Sequence, residues 1–377
     1  MNRGMLPVPP VAVAAPRIAL VAPRNMRFTP ACATSIDLNI RETALWSRFN
    51  DRIVVFAEEV EAPFDDVEVR FWPRGQPKGN LERLLAEERP DLIVAHQHLP
   101  TAARLAARFA DTPVVLVRHN FQNPPRNLLS GWLKRRLLNS LAAIAFVSEG
   151  CREHFRQHWP SIATPVHVIP NGVDSKAWSS AAKEPLVLFC GRMAPEKGVL
   201  EAALALERVL AAHPGWRGLF ICALSPEHAA YERAVREVLE RIGAGAELLT
   251  DLPHEEVRAW MARCSIALAP TQGAEPFGRV AIEAMASGAA VVATHAGGFV
   301  EVIGEAGVLL PQPDADHLSQ AVAALIETPD ERARLSRAAR ARVTAHYDLS
   351  CAVAAFDRMA AGLLGREGGM DSSPRLD

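Results

Sequence analysis

The chain has 377 residues, 49% of them hydrophobic and 22% charged, with a formal net charge of −2. That length exceeds one ordinary domain and supplies apolar residues for two cores, so two globular domains are expected. The near-neutral balance lacks the electrostatic footprint of a nucleic-acid binder, and no nucleic acid is expected as partner.

At the start, residues 1–16 (MNRGMLPVPPVAVAAP) carry an apolar stretch broken by Pro7, Pro9 and Pro10. This segment is expected to be a disordered extension rather than a signal peptide. The first half then offers RIALVA, RIVVFA, DLIVA, PVVLV and AIAFV as strands, each rich in β-branched residues and too short for a typical helix. Helical patterns lie between them over 80–88 and 100–109, and a short strand VHVIP runs into the turn-forming pair Asn171-Gly172. The second half repeats the alternation with PLVLFC, GLFICAL, AELLT, SIALAP, AAVVAT and GVLLP. Its helical patterns cover 200–212, 227–242, 255–264 and 278–286. The expected fold is therefore α/β, two Rossmann-like doubly wound domains at 17–172 and 173–347, facing a central cleft. The tail, 366–377, has the composition of a disordered segment.

Six cysteines, Cys32, Cys151, Cys190, Cys222, Cys264 and Cys351, form no C-x-x-C pair, and several sit in apolar runs. Buried free thiols in a reducing compartment are expected, which places the chain in the cytoplasm. No uninterrupted apolar stretch reaches bilayer length.

The sharpest motif is EPFGRVAIEAMASGAAVVAT, residues 275–294. Pro276 and Gly278 predict a tight turn before a helix, whose first N–H groups and positive dipole end suit a diphosphate. Glu275 precedes that helix and can reach a sugar; Glu283 lies inside it, where a carboxylate can accept bonds from ribose hydroxyls. The plainer reading makes Glu283 a solvated helix residue and Glu275 a loop acid, but it does not explain the turn, helix and strand that accompany them. A second motif, LFCGRMAPEKGV at 188–199, ends a predicted strand. Gly191 is expected to let the chain turn, leaving Arg192 and Lys197 in one strand-to-helix loop. Two cations there neutralise a diphosphate and the charge that grows as it departs.

Together these motifs resemble the retaining glycosyltransferase family 4, of the GT-B fold, whose members carry an E-x7-E element and a G-R-x-x-x-E-K-G loop. The resemblance is firm from Asn171 to about Tyr347 and looser before that. It implies that Arg192 and Lys197 contact a donor diphosphate beside Gly191, Glu275 the donor sugar and Glu283 the ribose. It further implies backbone contacts to phosphate at Phe277, Gly278 and Arg279, and to the nucleobase near Leu252, in LLTDLPHEEV. VLVRHNFQNPP resembles the strand and loop that bring a histidine to the sugar, which marks His119. His96 and His98, at the end of the preceding predicted strand, are candidates to line the same cleft. The segment 348–365 resembles the helix that crosses back onto the first domain.

The loop after the first predicted strand, VAPRNMRFTPACATSIDL, departs from the family by having no glycine. Arg24 or Arg27 is a candidate source of positive charge there, and Ser35 of a helix cap. Residues 128–141, with Trp132, Lys134, Arg135 and Arg136, are amphipathic. They read as a core helix with a solvated basic face, the alternative being contact with the inner face of a membrane holding a lipid-linked acceptor. His154 and His158 are read as surface histidines rather than metal ligands.

The resemblance implies transfer of a sugar from a nucleoside diphosphate, uridine preferred, to a glycan or lipid-linked acceptor hydroxyl in polysaccharide or cell-envelope synthesis. Anomeric configuration is retained, and the nucleotide sugar is a substrate; no cofactor or metal is expected, since Arg192 and Lys197 can stand in for a divalent cation. The alternatives are a non-hydrolysing sugar-nucleotide epimerase on the same fold, or a catalytically silent nucleotide- or glycan-binding subunit.

Overall fold

In the computed structural model, which describes residues 16–74, 79–125, 127–178 and 181–365, the buried apolar runs build two parallel sheets. The first holds β1 (Ile18–Val21), β2 (Ile53–Glu58), β3 (Val69–Trp72), β4 (Leu92–His96), β5 (Val114–Arg118), β6 (Ala143–Phe146) and β7 (Val166–Val168). Its helices are α1 (Ser35–Trp46), α2 (Gly79–Glu88), α3 (Leu99–Arg108), α4 (Leu128–Leu138) and α5 (Glu149–His158). The second sheet holds β8 (Glu184–Arg192), β9 (Arg217–Ala223), β10 (Ala246–Thr250), β11 (Cys264–Ala269), β12 (Ala290–Thr294) and β13 (Val308–Leu310). Around it lie α6 (Val199–Ala212), α7 (Ala229–Ile242), α8 (His254–Arg263), α9 (Arg279–Ala286), α10 (Gly298–Ile303), α11 (Ala315–Glu327) and α12 (Pro329–His346). The last described helix is α13 (Leu349–Leu363). Both segments expected to be disordered lie outside the described residues, apart from Pro16.

The strand orders are β3-β2-β1-β4-β5-β6-β7 and β10-β9-β8-β11-β12-β13. Each sheet therefore reverses direction once, between β1 and β4 and between β8 and β11, and such switch points open a crevice beyond the strands' carboxyl ends. Central strands are covered on both faces, so they read as unbroken apolar runs; all residues of β4, β6, β11 and β12 are buried. The edge strands β3, β7, β10 and β13 are only partly covered, and in β3 Arg70 is exposed while Val69 and Phe71 are half-buried. The β3 sequence, VRFW, is not among the runs the apolar pattern picks out.

Two linkers cross between the domains side by side. The Val173 N–H donates to the Tyr347 carbonyl and the Leu349 N–H to the Val173 carbonyl, each at 3.0 Å. Beyond them α13 leaves the second domain: Phe356, Met359 and Ala360 are buried in one cluster with Ile18, Leu20 and Val55. This is the GT-B arrangement, with the two domains facing a cleft and bridged twice. Among the described residues, no helix is long and apolar enough to cross a membrane.

Two sequence expectations need correction. The α4 helix ends at Leu138, and Leu128, Leu129, Trp132 and Leu133 are exposed, so it is not a core helix; only Gly131 and Leu138 are buried. At the start of α1 the cap is Thr34, not Ser35: the Thr34 hydroxyl accepts from the Asp37 N–H, and the Asp37 carboxylate accepts from the Thr34 N–H at 2.9 Å.

Candidate active site

Two loops leave the second sheet at its switch point, one after β8 and one after β11. The first follows an extended segment longer than the sequence suggested. Strand β8 runs through Gly191 and Arg192, so Gly191 does not make the turn; the left-handed residue is Gly198, at φ 70°. Arg192 is exposed and pairs with Glu196 at 2.8 Å, while Lys197 turns inward. The Lys197 ammonium donates to Glu275 Oε2 at 2.7 Å, tying the first loop to the second across the switch point.

The second loop is held from three sides. The Glu275 carbonyl accepts from the Gly298 N–H at 2.6 Å, and the Pro276 carbonyl accepts from the Ser148 hydroxyl of the first domain at 2.6 Å. Phe277 is buried. Gly278 then sits at φ 95°, a region L side chains rarely adopt, and a Cβ there would lie 2.4 Å from the Phe299 ring. Only after that residue does α9 begin, so its start lies four residues along the chain from Glu275, the partner of Lys197.

Inside α9, Glu283 is 6% exposed. Its Oε1 accepts from Arg279 Nε at 2.9 Å and lies 3.4 Å from His254 Nε2. Burial pushes this carboxyl up, but the hydrogen bonds and charges of His254 and Arg279 outweigh burial, so its pKa is lowered and it is ionised at neutral pH. Arg279 is gripped in turn by Glu42 on α1, across the domain boundary. Burial opposes the guanidinium charge, yet Glu42 and Glu283 more than offset it and raise its pKa. Leu252 is half-buried and packs against the hydrophobic core to which Ala281 and Met285 also belong.

From the first domain, β5 delivers His119 and β4 delivers His96. Both rings are buried, with His96 Nδ1 2.9 Å from His119 Nε2, and the His119 N–H donates to the Gln97 side chain at 3.0 Å. Desolvation, the facing His96 and the nearby Arg118 hold His119 well below its usual pKa, and burial brings His96 to about 3. Both imidazoles are therefore neutral at physiological pH. His98 does not join them: it is exposed and lies 2.8 Å from the Thr101 hydroxyl on α3. In the glycine-free loop, Asn25 takes the left-handed conformation at φ 65°, and Arg24 faces the buried Glu58 at 3.6 Å, which offsets its charge. Arg27 is exposed. His154 is half-buried, His158 is exposed, and their rings pack with centroids 4.2 Å apart. Among the described residues no group of three or more His, Cys, Asp or Glu is disposed to hold a metal ion.

The site thus gathers Lys197, Glu275, the start of α9 and Glu283 at one switch point. Sequence reasoning missed three contributors. Glu42 and His254 carry no local signal, whereas Gly297-Gly298 was visible as a paired glycine: a Cβ at Gly297 would lie 2.2 Å from the Glu275 carbonyl oxygen.

The chain also resembles known proteins in sequence and in fold. The family described as glycosyl transferases group 1 matches residues 172–342, and that described as glycosyltransferase family 4 matches residues 46–177. The chain is 29% identical over 308 residues to a glycogen synthase of Mycobacterium tuberculosis, covering 76% of this chain and 72% of that protein. It is 30% identical over 299 residues to a phosphatidyl-myo-inositol mannosyltransferase of the same species, covering 75% and 76%. Among solved structures, Anabaena HepE in complex with UDP and glucose superposes with a TM-score of 0.73 at 21% identity, covering 93% of this chain and 100% of that one.

Proposed function

The chain belongs to glycosyltransferase family 4 and is a transferase, and from that premise we propose that it moves a sugar from a uridine diphosphate donor to an acceptor hydroxyl with retention of anomeric configuration. The observation that carries this reading is the 2.7 Å bond between Lys197 and Glu275 beside the start of α9. It puts a cation, free helix N–H groups and a carboxylate within one corner, where a diphosphate and its sugar fit together.

Each residue then has one task. Lys197, with Arg192 swinging from its contact with Glu196 beside Gly191, balances charge on the departing diphosphate. The backbone at Phe277, Gly278 and Arg279 donates to phosphate oxygens. Glu275 accepts from sugar hydroxyls, and Glu283, ionised and with Oε2 still available, accepts from the ribose. The backbone near Leu252 meets the base. His119, neutral, hydrogen-bonds the sugar from the opposite domain.

In the transfer, the sugar's bond to the β-phosphate oxygen breaks and a bond to the acceptor oxygen forms on the same face. The acceptor's proton passes to the departing phosphate. Catalysis is then positioning plus charge stabilisation. The cations of Lys197 and Arg192 fill the role of a divalent ion, so transfer proceeds without metal. Uridine is favoured by the UDP held in the HepE complex, while a relative from Corynebacterium glutamicum is named as GDP-mannose-dependent. A glycan or a lipid-linked saccharide of the cell envelope is the acceptor class this reading names, with transfer on the cytoplasmic side.

The test is transfer from UDP-, GDP- and ADP-sugars in excess chelator, with the anomeric configuration of the product read by NMR. Retention with a UDP-sugar supports the reading. Inversion, rescue only by magnesium, or conversion of the donor without acceptor overturns it.

A further inference from the structure

Helix α4 presents to solvent the side chains that a core helix buries. Leu128 is 94% exposed, Leu129 69%, Trp132 55% and Leu133 48%. Leu128 and Trp132 are i,i+4 neighbours, as are Leu129 and Leu133, so the four form one continuous apolar patch on the first half of the helix. This is not a frayed end. Asn127 and Ser130 close a capping box at its start, and Gly131 and Leu138 anchor the opposite side.

The second half of the same helix is basic. Arg135 and Arg136 are exposed beside the half-buried Lys134, and the Arg136 guanidinium lies 5.9 Å from the centre of the Trp132 ring. The surrounding sequence extends this bias. Residues 112–148 contain Arg118, Arg126, Lys134, Arg135 and Arg136 but no Asp or Glu, in a chain of net charge −2. An apolar patch with a tryptophan, bordered by arginines and free of carboxylates, matches the boundary between headgroups and acyl chains of an anionic bilayer. A protein partner would have to meet unopposed positive charge next to bare leucine.

We propose that α4 docks on an anionic phospholipid surface, with Leu128, Leu129, Trp132 and Leu133 at the acyl boundary and Arg135 and Arg136 at the phosphates. The helix follows the loop that leaves His119, so docking ties the first domain's side of the cleft to the membrane. This goes beyond the transfer reading and does not depend on which sugar is moved.

The test is co-sedimentation of the full chain with phosphatidylcholine vesicles, with and without phosphatidylglycerol. The chain is expected to pellet with the anionic vesicles alone, and less as salt rises. Arg135→Gln and Arg136→Gln should each weaken partitioning about fivefold. The double variant Leu129→Glu, Trp132→Glu should stay in the supernatant with an unchanged melting temperature, because both side chains are exposed. Failure of the wild type to pellet, equal pelleting with neutral vesicles, or a double variant that pellets like the wild type overturns the proposal. So does a concentration-dependent dimer, seen without vesicles and lost in the double variant, because that assigns the face to a second copy of the chain.

Discussion

Arg279 and Glu42 form a two-pronged ion pair across the domain boundary, Nη1 to Oε2 at 2.8 Å and Nη2 to Oε1 at 2.5 Å. The Arg279 side chain is 6% exposed and that of Glu42 14%, so neither has water to fall back on. Because Arg279 Nε also donates to Glu283, the pair links the first domain to the carboxylate proposed to hold the ribose. Glu42→Gln removes one of the two carboxylates that neutralise a buried guanidinium and should destabilise the chain by about 3 kcal/mol. A Glu42→Gln melting curve that overlays the wild type would contradict the pairing.

Lys197→Ala and Glu275→Ala should each reduce turnover by about a hundredfold or more, the scale of losing one preorganised charge group. Measured kcat values within a few-fold of the wild type in both variants would remove these residues from the site.

Gly278→Ala forces a side chain into left-handed backbone and against the buried Phe299 ring. The expected cost is about 2 kcal/mol. Gly215, where a Cβ would meet nothing within 4 Å, is the control, and Gly215→Ala should change the unfolding midpoint little. Equal midpoints for the two variants would mean the loop before α9 relaxes freely.

The histidine pair makes a pH prediction. Both folded pKa values lie below 6.5, so above that pH the folded and unfolded chains carry the same neutral rings. As pH falls below 6.5, the unfolded chain takes up protons that the folded one refuses, and stability is lost; for His96 this continues toward about 3. Each such histidine contributes a slope of about 1.4 kcal/mol per pH unit. Denaturant unfolding between pH 6 and pH 5 should therefore show a shallower slope in His96→Gln than in the wild type, whatever its absolute stability. An unchanged slope would mean His96 is protonated in the fold.

Much of this was legible in the sequence, for physical reasons that also mark the limit. Strands such as DLIVA and SIALAP are buried on both faces and stand out as apolar runs, while β3 does not, because its four residues VRFW are interrupted by the exposed Arg70. The turn at Pro276 and Gly278 is local chemistry, so it reads directly. Glu42 and Arg279 meet only because the domains face each other, and no local pattern encodes that contact. The α4 helix shows a different gap. Its amphipathic pattern predicts a helix, yet periodicity alone does not say whether the apolar face is covered. Gly191 illustrates a third: a glycine after a strand suggests a turn, but here the strand continues and Gly198 supplies it.

The central claim is that Lys197, Glu275 and Glu283 form a nucleotide-sugar site at the second sheet's switch point. A thermal-shift panel of UDP, GDP, ADP and their sugar conjugates, run on the wild type, Lys197→Ala and Glu283→Ala, tests it most directly. Ligand at a hundred times its Kd adds about 2.7 kcal/mol of stability, a readily visible shift. UDP and a UDP-sugar should shift the wild type, and that shift should be lost or sharply reduced in both variants. No shift with any nucleotide, or a shift that both variants retain in full, would contradict the claim.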